Sequence, residues 1–559
     1  MDSLLTKRST KVTNFPIFEA FYAEVDDLYG RYQGGKLDRD WISYDIAESA
    51  DIFVQNAKIW WVEFPMSKVG DEVMYGYEVE YDGAEWFPVH YLSNMGTMRK
   101  FRMKIEHPED VQADFSFFFP RDSIPYRIER PKKSVTMLII EDVPEFESLD
   151  YFPFNGMTAA IQVRLTRGSE AITPTRPAEF ASFYRSLFDQ APPIAPEHLA
   201  AVGDAVAAAD TERAKVAAIH DYVRENIRYI AEEDAYGAII PRAPDLVMNR
   251  GYGDCKDRAY LVSTLARAHG IDVDMTLVST KPTPVFDNGT FVNQFNHAIC
   301  SWLEGEERVY FDPTSMHTEF GNLPDGDIEG VALVLDPAAP TMVKIPAPDR
   351  APGIELSVRA DVSEPQRAAA VVTLRNDYAS AARYALKELR GVDRENFLSN
   401  MITSHFYKMS VDYFEEDTVA YDFVRFRAVA DLSKFVISST TKHYVPAVPF
   451  SLYDADLLKR EEDPWPLQAG VQDPIRVDLE LTTGGYAVEP RELSIGDAGT
   501  AAITAAITPT EDGSAIVSYL LEQNYAEYAG SSKAEFLDFC RTYLKGRKEM
   551  FVLRSPEAE

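Results

Sequence analysis

Alternation of apolar and polar residues marks both ends of the chain. It is clearest at residues 73–81, returns at 475–481 and near 516–520, and is joined by an apolar run at 135–140. Side chains of a strand point to opposite faces in turn, so a period of two predicts strands with one buried face. The sequence therefore predicts a largely β region at each end.

Proline-rich segments divide the chain. Prolines cluster at 173–177 and 192–196 and recur between 337 and 352. Such clusters are typical of linkers and turns, and 559 residues are enough for three or more domains. We expect an N-terminal β-sandwich-like domain at 1–175, a central domain at 190–345 and a mostly β region at 353–559.

Helical spacing appears in the centre and interrupts the last region. Apolar residues between 216 and 227 share one helix face, and Asp210 or Thr211 precedes them as a candidate N-cap. Two more helical patterns lie near 378–389 and 533–544. The centre therefore predicts an α+β domain.

The most informative chemistry lies in Arg250-Gly-Tyr-Gly-Asp-Cys255-Lys-Asp-Arg258. The two glycines allow a tight turn, and helical spacing then runs from Ala259 to His269. We therefore expect Cys255 in the first turn of a helix. There, unsatisfied backbone N–H groups and the positive end of the macrodipole favour a thiolate, the reactive form of cysteine.

A histidine and a carboxylate follow at strand positions. His297 begins an apolar run after Phe295-Asn, and Asp312 ends another before Pro-Thr314; residues 271–277 alternate as a third strand. A histidine and an aspartate on neighbouring strands can meet across the pair and face the helix tip. A thiol nucleophile needs such a base, and the base needs an orienting group.

The other two cysteines predict core positions. Cys300 lies in a strand near Trp302, and Cys540 shares a helical stripe with aromatic residues. Cys255, between two charged residues and behind two glycines, is badly placed for a core. Three cysteines of this kind indicate no disulfide framework.

These motifs resemble the transglutaminase-like superfamily of papain-like enzymes. The motifs are most similar to those of a bacterial subgroup: Gly-Asp-Cys255-Lys-Asp, Phe-Asn-His297-Ala and Phe-Asp312-Pro-Thr, in that order. In that subgroup the core lies between two mostly β domains, the domains of unknown function 3857 and 3858. The resemblance implies a multidomain α+β fold, with a papain-like transglutaminase core between N-terminal and C-terminal β-sandwich-like domains.

The resemblance also implies a catalytic triad of Cys255, His297 and Asp312. On this resemblance, the triad is expected to catalyse acyl transfer on peptide or protein amides as a transglutaminase, an amidase or a protease. The reaction would pass through a thioester that an amine or water resolves. The backbone N–H of Cys255 and one further donor would bind the oxyanion. Tyr236 and Asn249 are the candidates for that donor, with Tyr236 preferred and Tyr229 also in range.

Two alternatives remain open at this point. One is a catalytically silent scaffold or binding protein of the cell envelope that keeps a transglutaminase-like core. The other is a biosynthetic enzyme that forms or breaks amides on a small metabolite or a modified peptide. The motifs do not separate these from protein-directed acyl transfer, and they leave the oligomeric state undecided.

Charge and composition exclude several classes. A net charge of −33 argues against nucleic-acid binding. The sequence contains no run of eighteen apolar residues, so it predicts no membrane span. The first residues lack the apolar segment of a signal peptide, whereas the resemblance implies a periplasmic or cell-envelope location. Histidines are scattered, and acidic clusters such as 325–327 lack EF-hand spacing. We therefore expect no metal and no cofactor.

Overall fold

The computed structural model describes most of the chain. The described residues are 2–4, 13–19, 23–46, 53–55, 58–64, 70–83, 87, 89–92, 98–118, 124–143, 160–174, 176–189, 192–233, 239–280, 295–346, 351–462, 467–469, 473–497, 500–523, 526–528 and 530–555. They form two compact units. The first unit takes in Met1–Asp150, Phe154–Met316 and Gly326–Pro346, and the second takes in the remainder.

The first unit contains most of the short strands and five helices of the described residues. Its strands are β1 (Asp2–Leu4), β2 (Thr13–Glu19), β3 (Ala23–Tyr32), β4 (Gly35–Lys36), β5 (Ile42–Ile46), β6 (Phe53–Gln55), β7 (Lys58–Phe64), β8 (Glu72–Tyr81), β9 (Val89–Tyr91), β10 (Met98–Glu106), β11 (Val111–Phe118), β12 (Tyr126–Lys132), β13 (Val135–Val143), β14 (Ala160–Arg167), β15 (Glu170–Ala171), β16 (Arg228–Tyr229), β17 (Ala231–Glu233), β18 (Tyr252–Gly253), β19 (Val273–Ser279), β20 (His297–Glu304), β21 (Glu307–Phe311), β22 (Val331–Val334) and β23 (Thr341–Lys344). Its helices are α1 (Pro177–Ser186), α2 (Pro196–Ala207), α3 (Glu212–Asn226), α4 (Pro244–Arg250) and α5 (Cys255–Ala268).

The N-terminal strands form a seven-stranded sheet that smaller sheets cover. Its order is β12-β13-β10-β1-β8-β3-β4. The sheet β2-β7-β5 packs against it through a cluster that includes Val62, Phe64 and Tyr75, and the sheet around β11 and β14 packs through Phe101 and Ile161. Each such buried side chain contributes about 1.5–3 kcal/mol relative to an exposed one. The alternation at 73–81 is therefore the buried face of a layered sheet.

The middle of the chain is an antiparallel sheet covered by the helix that begins at Cys255. The sheet order is β21-β20-β19-β22-β23. The predicted apolar face of α5, from Ala259 to Ala266, is buried. Thr211 is the N-cap of α3, because its side chain accepts from the Ala214 amide at 3.1 Å. The prolines that suggested linkers stand at the first turns of α1 and α2, where a missing N–H costs nothing.

The second unit is built on a large mixed sheet with helices. Its strands are β24 (Ile354–Asp361), β25 (Ala368–Leu374), β26 (Ser410–Val419), β27 (Val424–Asp431), β28 (Ile437–Ser438), β29 (Lys442–Pro446), β30 (Leu467–Ala469), β31 (Ile475–Thr482), β32 (Ala487–Val488), β33 (Arg491–Asp497), β34 (Ala501–Pro509), β35 (Ser514–Gln523), β36 (Ala526–Tyr528) and β37 (Met550–Arg554), and its helices are α6 (Asn376–Glu388), α7 (Gly391–Thr403) and α8 (Gly530–Gly546). The main sheet runs β26-β27-β25-β24-β31-β35-β34-β33. Both helical patterns predicted here are confirmed as α6 and α8.

The predicted α+β multidomain fold is confirmed, with strand-rich regions on either side of the helix-bearing core in the sequence. Helix α5 is followed by the three predicted strands, here β19, β20 and β21. The division at 1–175, 190–345 and 353–559 stays a prediction. No helix in the described part of the chain has both the length and the apolar character needed to cross a membrane.

Two glycines shape the turn that leads into α5. Gly251 ends α4 with φ +68°, a left-handed conformation that glycine adopts without strain. Gly253 lies in β18, which pairs in parallel with β16. A Cβ at Gly253 would meet the Asp257 Cβ at 2.8 Å. The turn can therefore approach the first turn of α5 only because position 253 has no side chain.

We expect Gly253→Ala to destabilise the first unit by about 1–3 kcal/mol, the usual cost of overpacking. The matched control is Gly203→Ala within α2, where an added Cβ meets nothing within 4 Å and should stabilise by up to about 1 kcal/mol. Calorimetric unfolding temperatures of the three proteins test this. Equal melting temperatures for wild type and Gly253→Ala would contradict the packing argument.

Candidate active site

Cys255 is the first residue of α5. Asp254 is the N-cap: its side chain accepts from the Asp257 amide at 3.1 Å, and the Asp257 carboxylate accepts from the Asp254 amide at 3.3 Å. This reciprocal capping box fixes where the helix begins. The amide of Cys255 has no acceptor within the helix at this position, and the positive end of the helix dipole lies beside the thiol. The expectation for Cys255 in a first turn is confirmed.

An ion-pair network holds that turn in place. Arg242 donates to the Asp257 carboxylate at 3.0 Å and pairs with Glu232 at 3.0 Å. Its backbone N–H donates to Asp257 at 2.7 Å. Lys256 pairs with Asp254. Because Asp254, Lys256 and Asp257 are buried, each charge would be costly without these partners.

Burial shifts the pKa of charged groups around this turn. Burial and the nearby Asp257 raise the pKa of Asp254, although Lys256 opposes the shift. Arg258, the fourth residue of α5, is fully buried and donates to the carbonyls of Val223 and Arg224 at the end of α3. Burial lowers the pKa of Arg258 to about 10, against the electrostatic attraction of Asp312. A guanidinium charge therefore lies within electrostatic range of Asp312.

His297 and Asp312 meet at adjoining ends of two paired strands. His297 is the first residue of β20, and Asp312 directly follows β21, which pairs with β20. The His297 Nε2 and Asp312 Oδ2 atoms are 3.2 Å apart. The Cys255 side chain lies near enough to the His297 ring to contribute to the raised pKa of the imidazole. The structure thus brings His297 and Asp312 into contact, with Cys255 nearby. Since Nε2 lies against Asp312, Nδ1 is the ring nitrogen left for the thiol; the triad itself stays a prediction.

Further contacts fix the Asp312 carboxylate. The Thr314 amide donates to Oδ1 and the Thr314 hydroxyl donates to Oδ2, each at 2.8 Å. The buried ring of His220, on α3, lies with Nε2 3.3 Å from the Asp312 carbonyl oxygen. Asp312 is therefore held by its own turn on one side and by α3 on the other.

The pKa of His297 and the pKa of Asp312 move apart. Burial alone would lower the pKa of His297, but attraction to Asp312 and hydrogen bonds with Asp312 and Cys255 raise it well above its ordinary value. Burial would raise the pKa of Asp312, but His297 and Thr314 lower it. Both shifts favour an imidazolium–carboxylate pair. Such a pair suits a thiolate on the other side of the ring.

No contact recorded among the described residues tests the predicted oxyanion donors. Tyr236 lies outside the part of the chain that the structure describes. Asn249 is exposed in the last turn of α4, and Tyr229 lies in β16 within electrostatic range of Arg258. The roles of Tyr236 and Asn249 stay predictions. Cys300 and Cys540 are fully buried, which confirms their predicted core positions.

Four residues at or around the site carried no predicted role: Arg242, Thr314, His220 and Asp327. Thr314 was within reach of sequence reasoning, because an aspartate followed two residues later by threonine commonly bonds to its own turn. The other three come from distant segments. The carboxylate of Asp327, buried, lies with the ligand atoms of His297 and Asp312 in a group whose members are within 4.8 Å of one another.

Comparison with known proteins agrees with this geometry at the level of the domain. Residues 200–305 match the Transglutaminase-like superfamily, so the middle of the chain carries a transglutaminase-like domain. The matched segment includes Cys255 and His297 and ends before Asp312. The flanking domains of unknown function 3857 and 3858 stay a prediction.

The chain is also similar to the crystal structure of a protein from Parabacteroides distasonis ATCC 8503 that is described as a "putative protease". The similarity has a TM-score of 0.57 at 12% identity and covers 97% of this chain and 91% of that chain. At this identity it shows a shared fold and nothing about activity. No curated protein matches the chain.

We expect Asp312→Asn to lower the pKa of His297, because the carboxylate is the main group that raises it. An imidazole whose pKa is raised on folding stabilises the fold fully below its unfolded value of about 6.5 and loses that contribution as pH rises through the folded value. A carboxylate whose pKa is lowered contributes above its unfolded value of about 3.9 and loses that contribution as pH falls. Wild type should thus exceed Asp312→Asn in unfolding free energy most between these limits.

NMR titration of labelled histidines and unfolding experiments across pH measure both effects. Asp272→Asn is the matched control, since Asp272 is an exposed aspartate of the same domain. A His297 titration that is unchanged in Asp312→Asn would contradict the assignment of the pair.

Proposed function

We propose that the protein catalyses thiol-dependent acyl transfer on peptide or protein amides, as a transglutaminase, an amidase or a protease. The observation that carries the proposal is that Cys255, at the tip of α5, lies near His297, whose ring meets Asp312 at 3.2 Å. Buried ion pairs in the first turn of α5 position Cys255, and Thr314 and His220 hold Asp312. A nucleophile bonded to a base that a third group orients is the arrangement that covalent catalysis requires.

In the proposed mechanism His297 takes the proton of Cys255, and the resulting thiolate attacks an amide carbonyl. Asp312 orients the ring and stabilises the imidazolium. The raised pKa of His297 supports this step, because it favours the proton on the ring. When the tetrahedral intermediate collapses, the imidazolium donates its proton to the leaving amine, and a thioester on Cys255 remains.

The oxyanion needs donors at the start of α5. The position of Cys255 at the first residue of the helix, where the backbone N–H lacks an acceptor within the helix, supports the Cys255 amide as one donor. We propose Tyr236 as the second donor and Asn249 as the alternative. An amine or water then resolves the thioester, and this choice depends on how the acceptor path excludes water.

The surroundings of the reaction are part of the proposal. A net charge of −33 favours basic segments of substrates over nucleic acids by long-range attraction. The resemblance to envelope proteins leads us to propose a periplasmic or cell-envelope location.

We expect Cys255→Ala to abolish amine incorporation into peptides and peptide-amide hydrolysis while the fold survives. The physical reason is the loss of the atom that forms the thioester. Activity is measured by mass spectrometry with a peptide library as acyl donor and a primary amine as acceptor, and melting temperatures report folding. Cys540→Ala, which removes a buried thiol of the second unit, is the matched control and should keep its activity. A fully active Cys255→Ala protein would sink the proposal.

We expect iodoacetamide to alkylate Cys255 selectively and His297→Ala to slow that reaction in the neutral range. Proton transfer by a positioned base contributes about 10²- to 10⁴-fold, so a loss of at least tenfold is expected. Intact-mass kinetics across pH provide the measurement, and the buried Cys300 and Cys540 serve as internal controls. Slow, pH-ordinary alkylation in both proteins would instead favour a catalytically silent scaffold.

A further inference from the structure

One buried carboxylate beside the candidate triad has no part in the proposed mechanism. Asp327 is 2% exposed and precedes β22 by four residues. One ring nitrogen of His297, one carboxylate oxygen of Asp312 and one of Asp327 all lie within 4.8 Å of one another. The ring of His297 therefore has two aspartates near it, and they come from separate segments of the chain.

The turn that carries Asp327 is fixed by several backbone contacts. The Gly330 N–H donates to the Asp327 carbonyl at 3.0 Å, and a Cβ at Gly330 would meet the Ser279 carbonyl oxygen at 2.8 Å. Glu329 has φ +59°, a left-handed conformation that is uncommon outside glycine, and its N–H donates to the Ile345 carbonyl at 3.0 Å. Such a backbone persists where the surrounding structure over-determines it. The turn therefore sets the position of Asp327.

The end of β19 lies between this turn and His297. Val278 of β19 pairs with His297 on one side, and the next residue, Ser279, pairs with Val331 of β22 on the other. Asp312 reaches the same end of the sheet from β21, which pairs with β20. Sheet register thus brings both aspartates to the end at which His297 begins β20.

We propose that Asp327 is a positioning residue of the candidate triad, a second carboxylate that favours the imidazolium form of His297. It acts through the His297 ring rather than on the substrate. Its role in catalysis rests on the proposed function, whereas its effect on the ring does not.

Burial makes this second charge effective. Asp312 and Asp327 are 3% and 2% exposed, so water screens their charges little. Two buried carboxylates this close repel each other, and a cation beside them relieves the repulsion. The imidazolium of His297 is the cation of this group. An opposite charge within about 4–6 Å shifts a pKa by about 1–3 pH units toward the charged form, so Asp327 adds to the effect of Asp312 on the pKa of His297.

Other titratable and charged groups surround His297 and the turn of Asp327. They are Cys255 and Arg258 of α5, His220 of α3, Asp312 after β21, and the pair of Glu329 with Lys344. All of them remain when Asp327 is replaced. The difference between a variant and wild type therefore measures the contribution of Asp327.

NMR titration of labelled histidines in the full chain measures this contribution, and His297→Ala assigns the signal. We expect Asp327→Asn to lower the pKa of His297 by about 1 pH unit, because a nearby negative charge is lost. Asp336→Asn is the matched control: Asp336 follows the other end of β22, accepts from the Ala338 amide at 2.7 Å, and should leave the pKa unchanged when replaced. An unchanged His297 pKa in Asp327→Asn, even with a lower melting temperature, would overturn the proposal.

Two further variants separate charge from packing. Asp327→Ala also removes the charge and introduces no buried amide that needs hydrogen-bond partners, so it serves if Asp327→Asn does not fold. It should lower the pKa of His297 in the same way. Asp327→Glu keeps the charge and should retain most of the wild-type pKa. An equal fall in all of these variants would refute a charge effect.

Kinetics separate this role from the proposed function. With any substrate that wild type turns over, Asp327→Asn should lower kcat and leave KM nearly unchanged, because the loss acts on the ring. A raised KM at constant kcat would contradict a positioning role. A lowered His297 pKa in a chain that transfers no acyl group would support the effect on the ring and fail only the proposed function.

Discussion

The burial of charge in the first turn of α5 is the constraint on which the candidate site depends. Asp254, Lys256, Asp257 and Arg258 are all buried within one turn, and an unpaired buried charge costs several kcal/mol. Most of these charges have a partner: Asp254 and Asp257 form the capping box, Lys256 pairs with Asp254, and Arg242 donates to Asp257. Cys255 alone in this turn is partly exposed. The helix can therefore start in only one way, with the thiol outward.

The histidine and aspartate are fixed by a different device, a strand pair. His297 begins β20 and is paired there with Val278 of β19, and Asp312 directly follows Phe311, the last residue of β21, which is paired with β20. Thr314 then restrains the carboxylate of Asp312, and His220 lies against its backbone carbonyl oxygen. Sites built on helices and strands hold their geometry better than sites on loops alone. The candidate triad combines one helix end with two strand ends.

The sequence was informative wherever chemistry and local structure coincide. The turn glycines, the helical spacing after Cys255 and the apolar runs at His297 and Asp312 are local signals, and they predicted the order helix, strand, strand, strand. Arg242 and Asp327 could not be predicted in this way. Arg242 and Asp327 reach the site because the segments before α4 and β22 fold back toward α5 and His297. The spacing of residues along the chain does not predict such contacts between distant segments. The predicted domain boundaries rest on prolines, and those at 177 and 196 begin helices within one unit, so a proline alone does not identify a linker.

The contrast between the three cysteines has a consequence for redox chemistry. A thiol oxidised to sulfenic acid is usually rescued when a neighbouring thiolate condenses with it. Burial raises the pKa of Cys540 to about 12 and the pKa of Cys300 well above its ordinary range, so both stay protonated and unreactive. Cys255 thus has no resolving partner within its own chain. Once Cys255 is oxidised to sulfenic acid, its reduction therefore requires a thiol of another molecule.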